Sequence, residues 1–276
     1  MAVAARYQAD VEAIMATRHD NGADFWATPD RRLAKGGPFS TIEAPALLVE
    51  LGVDPAEAVL RGAAELLLST WREDGRFRLS ASGAIYPCHT INAARILSML
   101  GHASDDRLRR TFDHLLGTLH DDGGWRCRKF SFGRGPETEC SNPGPTLAAL
   151  DALRLAGLTD SAPSGAVELL LEHWVSRAPL GPCHFGIGTL FLQVGYPFAD
   201  YNLFSYVHVL SFYGQARHDP RFREALAALE SQLVDGQIVV ERVHRNLAGL
   251  TFCRRGEPSE LGTARYREVL ANLADQ

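Results

Sequence analysis

Four of the five cysteines lie beside residues that could give a thiol something to do. Cys88 and His89 sit in a Pro-Cys-His-Thr tetrapeptide at 87–90, and Cys183 and His184 follow Pro182 in a second Pro-Cys-His. Cys127 comes directly after "GGWR", and Cys140 closes "PETEC". Cys88, Cys140 and Cys183 lie on the approach to long apolar runs that read as helices. A helix N-terminus carries partial positive charge and unsatisfied N–H groups, which stabilise a thiolate and lower a cysteine pKa. Thiolates and imidazoles are the tetrahedral ligands of zinc, and four thiolates would equally suit an iron–sulfur cluster. The competing reading is packing: no Cys-x-x-Cys occurs, and a lone cysteine is first of all a small buried hydrophobe. Cys253, in "LTFCRRGE", lies outside the pattern and reads as structural.

A second set is aromatic. The run "FGIGTLFLQVGYPFADYNLFSYVHVLSFY" has Asp200, Tyr201 and His208 as its strongly polar members. On a continuous helix Tyr201 and His208, seven apart, share a face with Phe204 and Val207 on the adjacent turn. A cavity lined by aromatics with a few polar groups suits an apolar ligand, and Phe25 and Trp26 could extend the lining. The alternative is that His208 is a hydrogen-bonded core residue.

The elements that must position these groups are helical. Four apolar runs stop at a glycine, "LLVELG" at Gly52, "ILSMLG" at Gly101, "LRLAG" at Gly157 and "LSFYG" at Gly214, a period of roughly fifty residues. After each stop comes a polar turn and then an amphipathic run such as "PAEAVLRGAAELLLSTW", with Leu60, Ala63, Ala64, Leu67, Leu68 and Trp71 at helical spacing. Those second runs end at Gly turns in "REDGRF", "HDDGGW" and "LVDGQI". Each unit is therefore a hairpin of one helix apolar nearly all round, hence buried, and one with a charged face. The expected buried helices lie near 40–51, 89–100, 144–156 and 200–213. Such hairpins close as an inner ring within an outer ring or stack as an open solenoid. The long loops at 126–144 and 179–199 favour closure over a potential site.

With 276 residues, 46% hydrophobic, 22% charged and a net charge of -5, the chain reads as a soluble globular protein, expected to form one domain over 1–276. One basic cluster, Arg126, Arg128 and Lys129, stands out against an acidic balance, which excludes sequence-independent nucleic-acid binding. No apolar stretch approaches the ~20 residues of a spanning helix, and acidic residues in "MAVAARYQADVEAIM" argue against a signal peptide. A cytoplasmic location follows, with thiols or ligands rather than disulfides.

The turns "REDGRF" and "HDDGGW", each between an amphipathic helix and a loop into a buried one, resemble the Gln-Trp type repeats of the prenyltransferase and squalene-cyclase α/α-toroid superfamily. The likeness runs over residues 21–240 and is greatest to its compact bacterial single-domain members. It implies an all-α toroid of four to five units and an isoprenoid-like, hydrophobic small molecule as ligand. In the turn itself Gly permits the tight backbone and Trp125 packs between helices, a fold signal. The acidic signatures of the better-known relatives are missing from the sequence: no Asp-x-Asp-Asp acid, no Asp-Asp-x-x-Asp magnesium site, and Thr138 stands where a zinc-binding Asp-x-Cys pair would have its Asp.

In a toroid the inner helices run parallel, so the segments preceding them gather at one mouth. On that architecture Cys88, His89, Cys127, Cys140, Cys183 and His184 converge as ligands of a metal, with zinc expected ahead of an iron–sulfur cluster, or as a reactive thiol. Asp200, Tyr201 and His208 are the expected catalytic residues. The leading reading is an enzyme acting on a hydrophobic small molecule. The alternative is a catalytically silent toroid that binds lipid or a partner protein, its cysteines structural.

Overall fold

The computed structural model describes residues 3–274. Among them are twelve α-helices, with one two-residue parallel pairing of β1 (Gly195–Tyr196) and β2 (Arg242–Val243). The chain forms two compact units, one running to Gly117 and including Leu155–Gly157, the other taking Thr118–Arg154 and the remainder from Leu158. The all-α class and the hairpin repeat expected of an α/α toroid are what the structure has.

The first unit holds α1 (Gln8–Ala16), α2 (Ala44–Glu50), α3 (Ala58–Leu68), α4 (Pro87–Met99) and α5 (Asp106–Gly117). The two kinds of helix differ in burial as the pattern requires. In α4 the stretch Thr90–Ser98 is buried but for Asn92, whereas α5 buries only Leu108, Thr111, Phe112 and Leu115, a stripe at helical spacing. The inner helices α2 and α4 pack on one another, with α3 and α5 against α4. Gly52 and Gly101 end the inner helices in the left-handed region, φ 93° and 85°. Beyond them the Val53 and His102 amides reach back to Leu48 and Leu97 carbonyls at 3.0 and 2.9 Å, the bond that closes a Schellman cap. Phe25 and Trp26 are packing residues rather than a lining. The Phe25 ring rests where a Cβ of Gly62 on α3 would be, and Trp26 is fully buried with its indole N–H donated to Thr17 at 2.9 Å.

The second unit holds α6 (Pro143–Leu155), α7 (Ser164–Ser176), the single-turn α8 (Thr189–Leu192), α9 (Leu203–Leu210), the short α10 (Gly214–Arg217), α11 (Pro220–Glu230) and α12 (Glu260–Ala274). All eight residues of α9 are buried, and α11 and α12 both pack on it. Two expectations change here. The fourth inner helix begins at Leu203, not 200, because Asn202 and Ser205 form a reciprocal capping box that fixes its start. It ends at Leu210, and Gly214 opens α10 instead of providing a left-handed stop. Helix α12 is a further element that the glycine stops did not mark; it buries only Gly262, Thr263, Tyr266 and Val269, a single stripe.

A recurrent bond joins each Asp-Gly turn to the next helix. The Phe77 amide donates to the Thr90 hydroxyl at 3.2 Å, Trp125 to Thr146 at 3.2 Å, and Ile238 to Thr263 at 3.1 Å. The donor is the third residue after the turn Asp, and the acceptor is the fourth residue of α4, α6 and α12 in turn. This lock places α12 in the same repeat as α4 and α6. No helix among the described residues is long and apolar enough to cross a membrane.

Candidate functional site

The Asp-Gly-Gly-Trp turn is bound into the frame of the second unit. Gly123 sits at φ +83°, and a Cβ there would come within 2.6 Å of the Gly165 backbone on α7, so only glycine permits this approach. The Asp122 carboxylate accepts from the Ser141 amide at 2.7 Å, the Ser141 hydroxyl at 2.6 Å and the Gly124 amide at 3.2 Å. His120 stands 3.2 Å away. Burial raises the Asp122 carboxyl, but these bonds together outweigh it and hold the group below its ordinary value. A carboxylate so fully engaged is a fastener for the start of α6, not an acid awaiting an alkene.

Two loops meet over that start. The Gly181 amide donates to the Glu137 carbonyl at 2.9 Å, Phe132 to Pro182 at 2.7 Å, and Cys183 to the buried Asn142 side chain at 3.0 Å. Glu137 faces His184 Nε2 at 3.3 Å, and the His184 ring fills the space beside Gly133. The segments bearing Cys140, Cys183 and His184 are thus brought together, as expected. Among the described residues no three His, Cys, Asp or Glu side chains group as they would to hold a cation. None of the five cysteines is in a disulfide. The thiolate argument also reverses at Cys140, where burial pushes the thiol up and the Asp122 and Glu139 carboxylates push it the same way. Cys127, two residues after Trp125, is buried. In the first unit, Cys88 and His89 lie inside the first turn of α4 rather than ahead of it, because Pro87 takes the first helical position, where its missing N–H costs nothing. His89 packs edge-on against Tyr86, ring centroids 5.0 Å apart, and burial lowers its pKa.

The aromatic set divides into two separate arrangements. Since α9 starts at Leu203, Tyr201 precedes the helix and does not share a face with His208. His208 is 3% exposed, stacks on Phe204 and bonds Glu268 of α12 through Nε2 at 2.9 Å, which makes it a bridge between α9 and α12. Asp200 is exposed at the surface, and its carbonyl accepts the Ser205 hydroxyl. Tyr201, partly exposed, places its hydroxyl 2.7 Å from Nδ1 of the fully buried His173, whose Nε2 lies 2.9 Å from the Ala178 carbonyl. A carbonyl only accepts, so Nε2 carries the proton and Tyr201 donates to Nδ1. Phe185 and Phe191 stand around the Tyr201 ring, centroids 5.6 and 4.9 Å away, and Phe185 covers Gly144 at the start of α6. Burial raises the phenol well above its ordinary value and lowers His173, so the pair is neutral at neutral pH.

His173 and Phe185 were absent from the sequence reading. The signal for His173 was present: in "VELLLEHW" it lies three residues after Leu170, on the stripe that α7 turns inward, where a polar residue needs a partner. Phe185 had no such signal, because its role depends on a loop returning to α6.

The two buried histidines carry a pH dependence. Both have folded pKa values below the ordinary one, chiefly through burial. As pH falls through about 6.5 the unfolded chain binds protons that the folded chain refuses, so their contribution to stability is complete above that pH and drains away beneath it. The melting temperature is expected to fall between about pH 7 and pH 5.5, and His208→Gln to flatten part of that slope. An unchanged slope in the variant would remove His208 from this role.

No family model matches the chain, and no curated protein matches it in sequence. Solved structures do. E. coli α2-macroglobulin in its native conformation aligns at 18% identity with a TM-score of 0.44, covering 82% of this chain but 13% of that one. The type II terpene cyclase MstE from Scytonema, in complex with geranylgeranyl dihydroxybenzoate, aligns at 15% identity with a TM-score of 0.48, covering 98% of this chain and 83% of that one. Salmonella α2-macroglobulin reacted with methylamine aligns at 15% and 0.42, covering 95% and 16%. The chain thus spans less than one fifth of either macroglobulin. Likenesses at this level speak to no reaction or substrate.

Proposed function

We propose that the chain binds a hydrophobic, isoprenoid-like alcohol at the cluster of Phe185, Phe191 and Tyr201, with Tyr201 as its polar contact. The observation that carries the reading is Tyr201, a partly exposed residue among aromatic neighbours, its hydroxyl proton committed to buried His173. That commitment leaves the phenol oxygen as an acceptor, the complement of a ligand hydroxyl. A neutral pair in an aromatic setting favours an uncharged alcohol over a charged head group. The isoprenoid class is the one implied by the repeat's resemblance to the toroid superfamily.

The binding reading is preferred to a cyclase reading because Asp122 is engaged by Ser141 and His208 by Glu268, leaving neither as a proton donor. Zinc is not part of the proposal, since among the described residues no group of side chains is assembled for it. Any chemistry at the cluster would be proton transfer between a ligand hydroxyl and the Tyr201–His173 pair.

Titrating the protein with farnesol and with the matching hydrocarbon farnesene, by calorimetry, tests this. Tyr201→Phe is expected to weaken the alcohol about tenfold while leaving the hydrocarbon unchanged, the loss of one hydrogen bond. Failure of both ligands to bind the wild-type protein, or equal losses for the two in the variant, would overturn it.

A further inference from the structure

The loop over the start of α6 also carries an apolar tip. Phe130 and Phe132 are 44% and 69% exposed, and their rings pack edge to face with centroids 4.1 Å apart. The two rings thus lie together on one part of the loop. The other large exposed apolar side chains among the described residues, Val175, Leu190, Val234 and Leu270, are aliphatic and far from this pair in sequence. Three exposed cations flank the pair: Arg128, Lys129 and Arg134. Nearby carboxylates are already engaged, Glu139 with Arg126 at 3.4 Å and Glu137 with His184 at 3.3 Å. The tip is therefore cationic around an aromatic point. It is also tied to the ligand cluster, since the Phe132 amide bonds Pro182 and the same segment supplies Phe185.

We propose that this loop docks the protein on an anionic lipid surface, Phe130 and Phe132 entering the headgroup region and Arg128, Lys129 and Arg134 pairing with lipid phosphates and carboxylates. Aromatic rings settle at the membrane interface, and clustered cations are drawn to anionic leaflets. Two phenyl rings are too small an area for a stable protein interface, which needs ~800 Å² from each partner, but they suffice as a shallow wedge when cations share the binding. The docking is peripheral, so it requires no spanning helix. It goes beyond the ligand proposal and stands without it.

The full chain is sedimented with phosphatidylcholine vesicles, with and without phosphatidylserine, at low and high salt. Binding is expected only to the phosphatidylserine vesicles and is expected to weaken with salt. Phe130→Ser with Phe132→Ser, and separately Arg128→Glu with Lys129→Glu, are each expected to lower the partition coefficient about tenfold or more. The substituted side chains are exposed, and melting curves verify that both variants remain folded. Retention on polyglutamate provides the contrast. Absence of vesicle binding, vesicle binding indifferent to the phenylalanine pair, or polyglutamate retention matching vesicle binding in every variant would overturn membrane docking, the last in favour of an acidic protein partner. Farnesol titration without vesicles reads the ligand proposal separately, so failure of one leaves the other standing or falling on its own result.

Discussion

Trp125→Ala is expected to destabilise the second unit by about 3–5 kcal/mol. The indole is 2% exposed at the end of a turn whose two glycines leave no room to shift. A Cβ on Gly123 would meet the Gly165 backbone, and one on Gly124 would meet Ser141 and Thr146. The surroundings therefore cannot collapse into the vacated volume, the condition under which a large-to-small change costs most. The backbone at this residue also bonds α6 from both sides, its amide to Thr146 and its carbonyl from Asn142 at 3.0 Å. Urea unfolding of the variant measures the loss. A change of less than about 1 kcal/mol would show that the tryptophan is not a core residue, and Phe77→Ala at the equivalent turn position offers the internal comparison.

Asp122→Ala is expected to cost about 3 kcal/mol, for a different reason. Here the loss comes from what is left behind: the Ser141 amide and hydroxyl and the Gly124 amide all lose their acceptor at a part-buried position. Asp122→Asn, similar in shape but unable to accept with both ends, should fall between the variant and the wild type. The carboxyl has a folded pKa below its ordinary value, so its contribution is complete above about pH 4 and is lost as pH falls through the lower, folded value. The asparagine variant should therefore show a shallower acid limb below about pH 4 than the wild type, in a window separate from that of the histidines. Equal acid limbs would contradict the assignment.

Much of this frame was legible in the residues. Apolar positions all round α4 and a single stripe on α5 separate inner from outer helices without any coordinates, and Gly52 and Gly101 mark the inner helix ends because few other residues adopt their backbone angles. Gly214 misled for the same reason that Gly101 informed: a glycine after an apolar run is read as a stop, yet at 214 it opens α10 with ordinary angles. The start of α9 turned on the Asn202–Ser205 capping box, a local bond that outweighed the continuous apolar pattern and separated Tyr201 from His208. The cysteines show the limit most clearly. Sequence could tell that the loops bearing Cys140 and Cys183 approach one another. It could not tell which way each thiol turns, or that Asp122 and Glu139 would oppose a thiolate at Cys140.

The threonine bonds that join each Asp-Gly turn to the next helix have a bearing on how such a chain can change. The bonded partners are 13, 21 and 25 residues apart for the pairs at Phe77, Trp125 and Ile238. The connecting segment thus nearly doubles in span while its two anchored ends keep the same mutual geometry. Closing a longer loop is inexpensive, about 0.6 kcal/mol for each doubling in length, once both ends are fixed. The exposed part of the segment therefore behaves as an exchangeable insert. Phe130 and Phe132, which ride on the middle one, are free to vary with new surface chemistry, whereas Ser141 and Asn142 on the same segment hold Asp122 and Trp125 and tie its end to the scaffold.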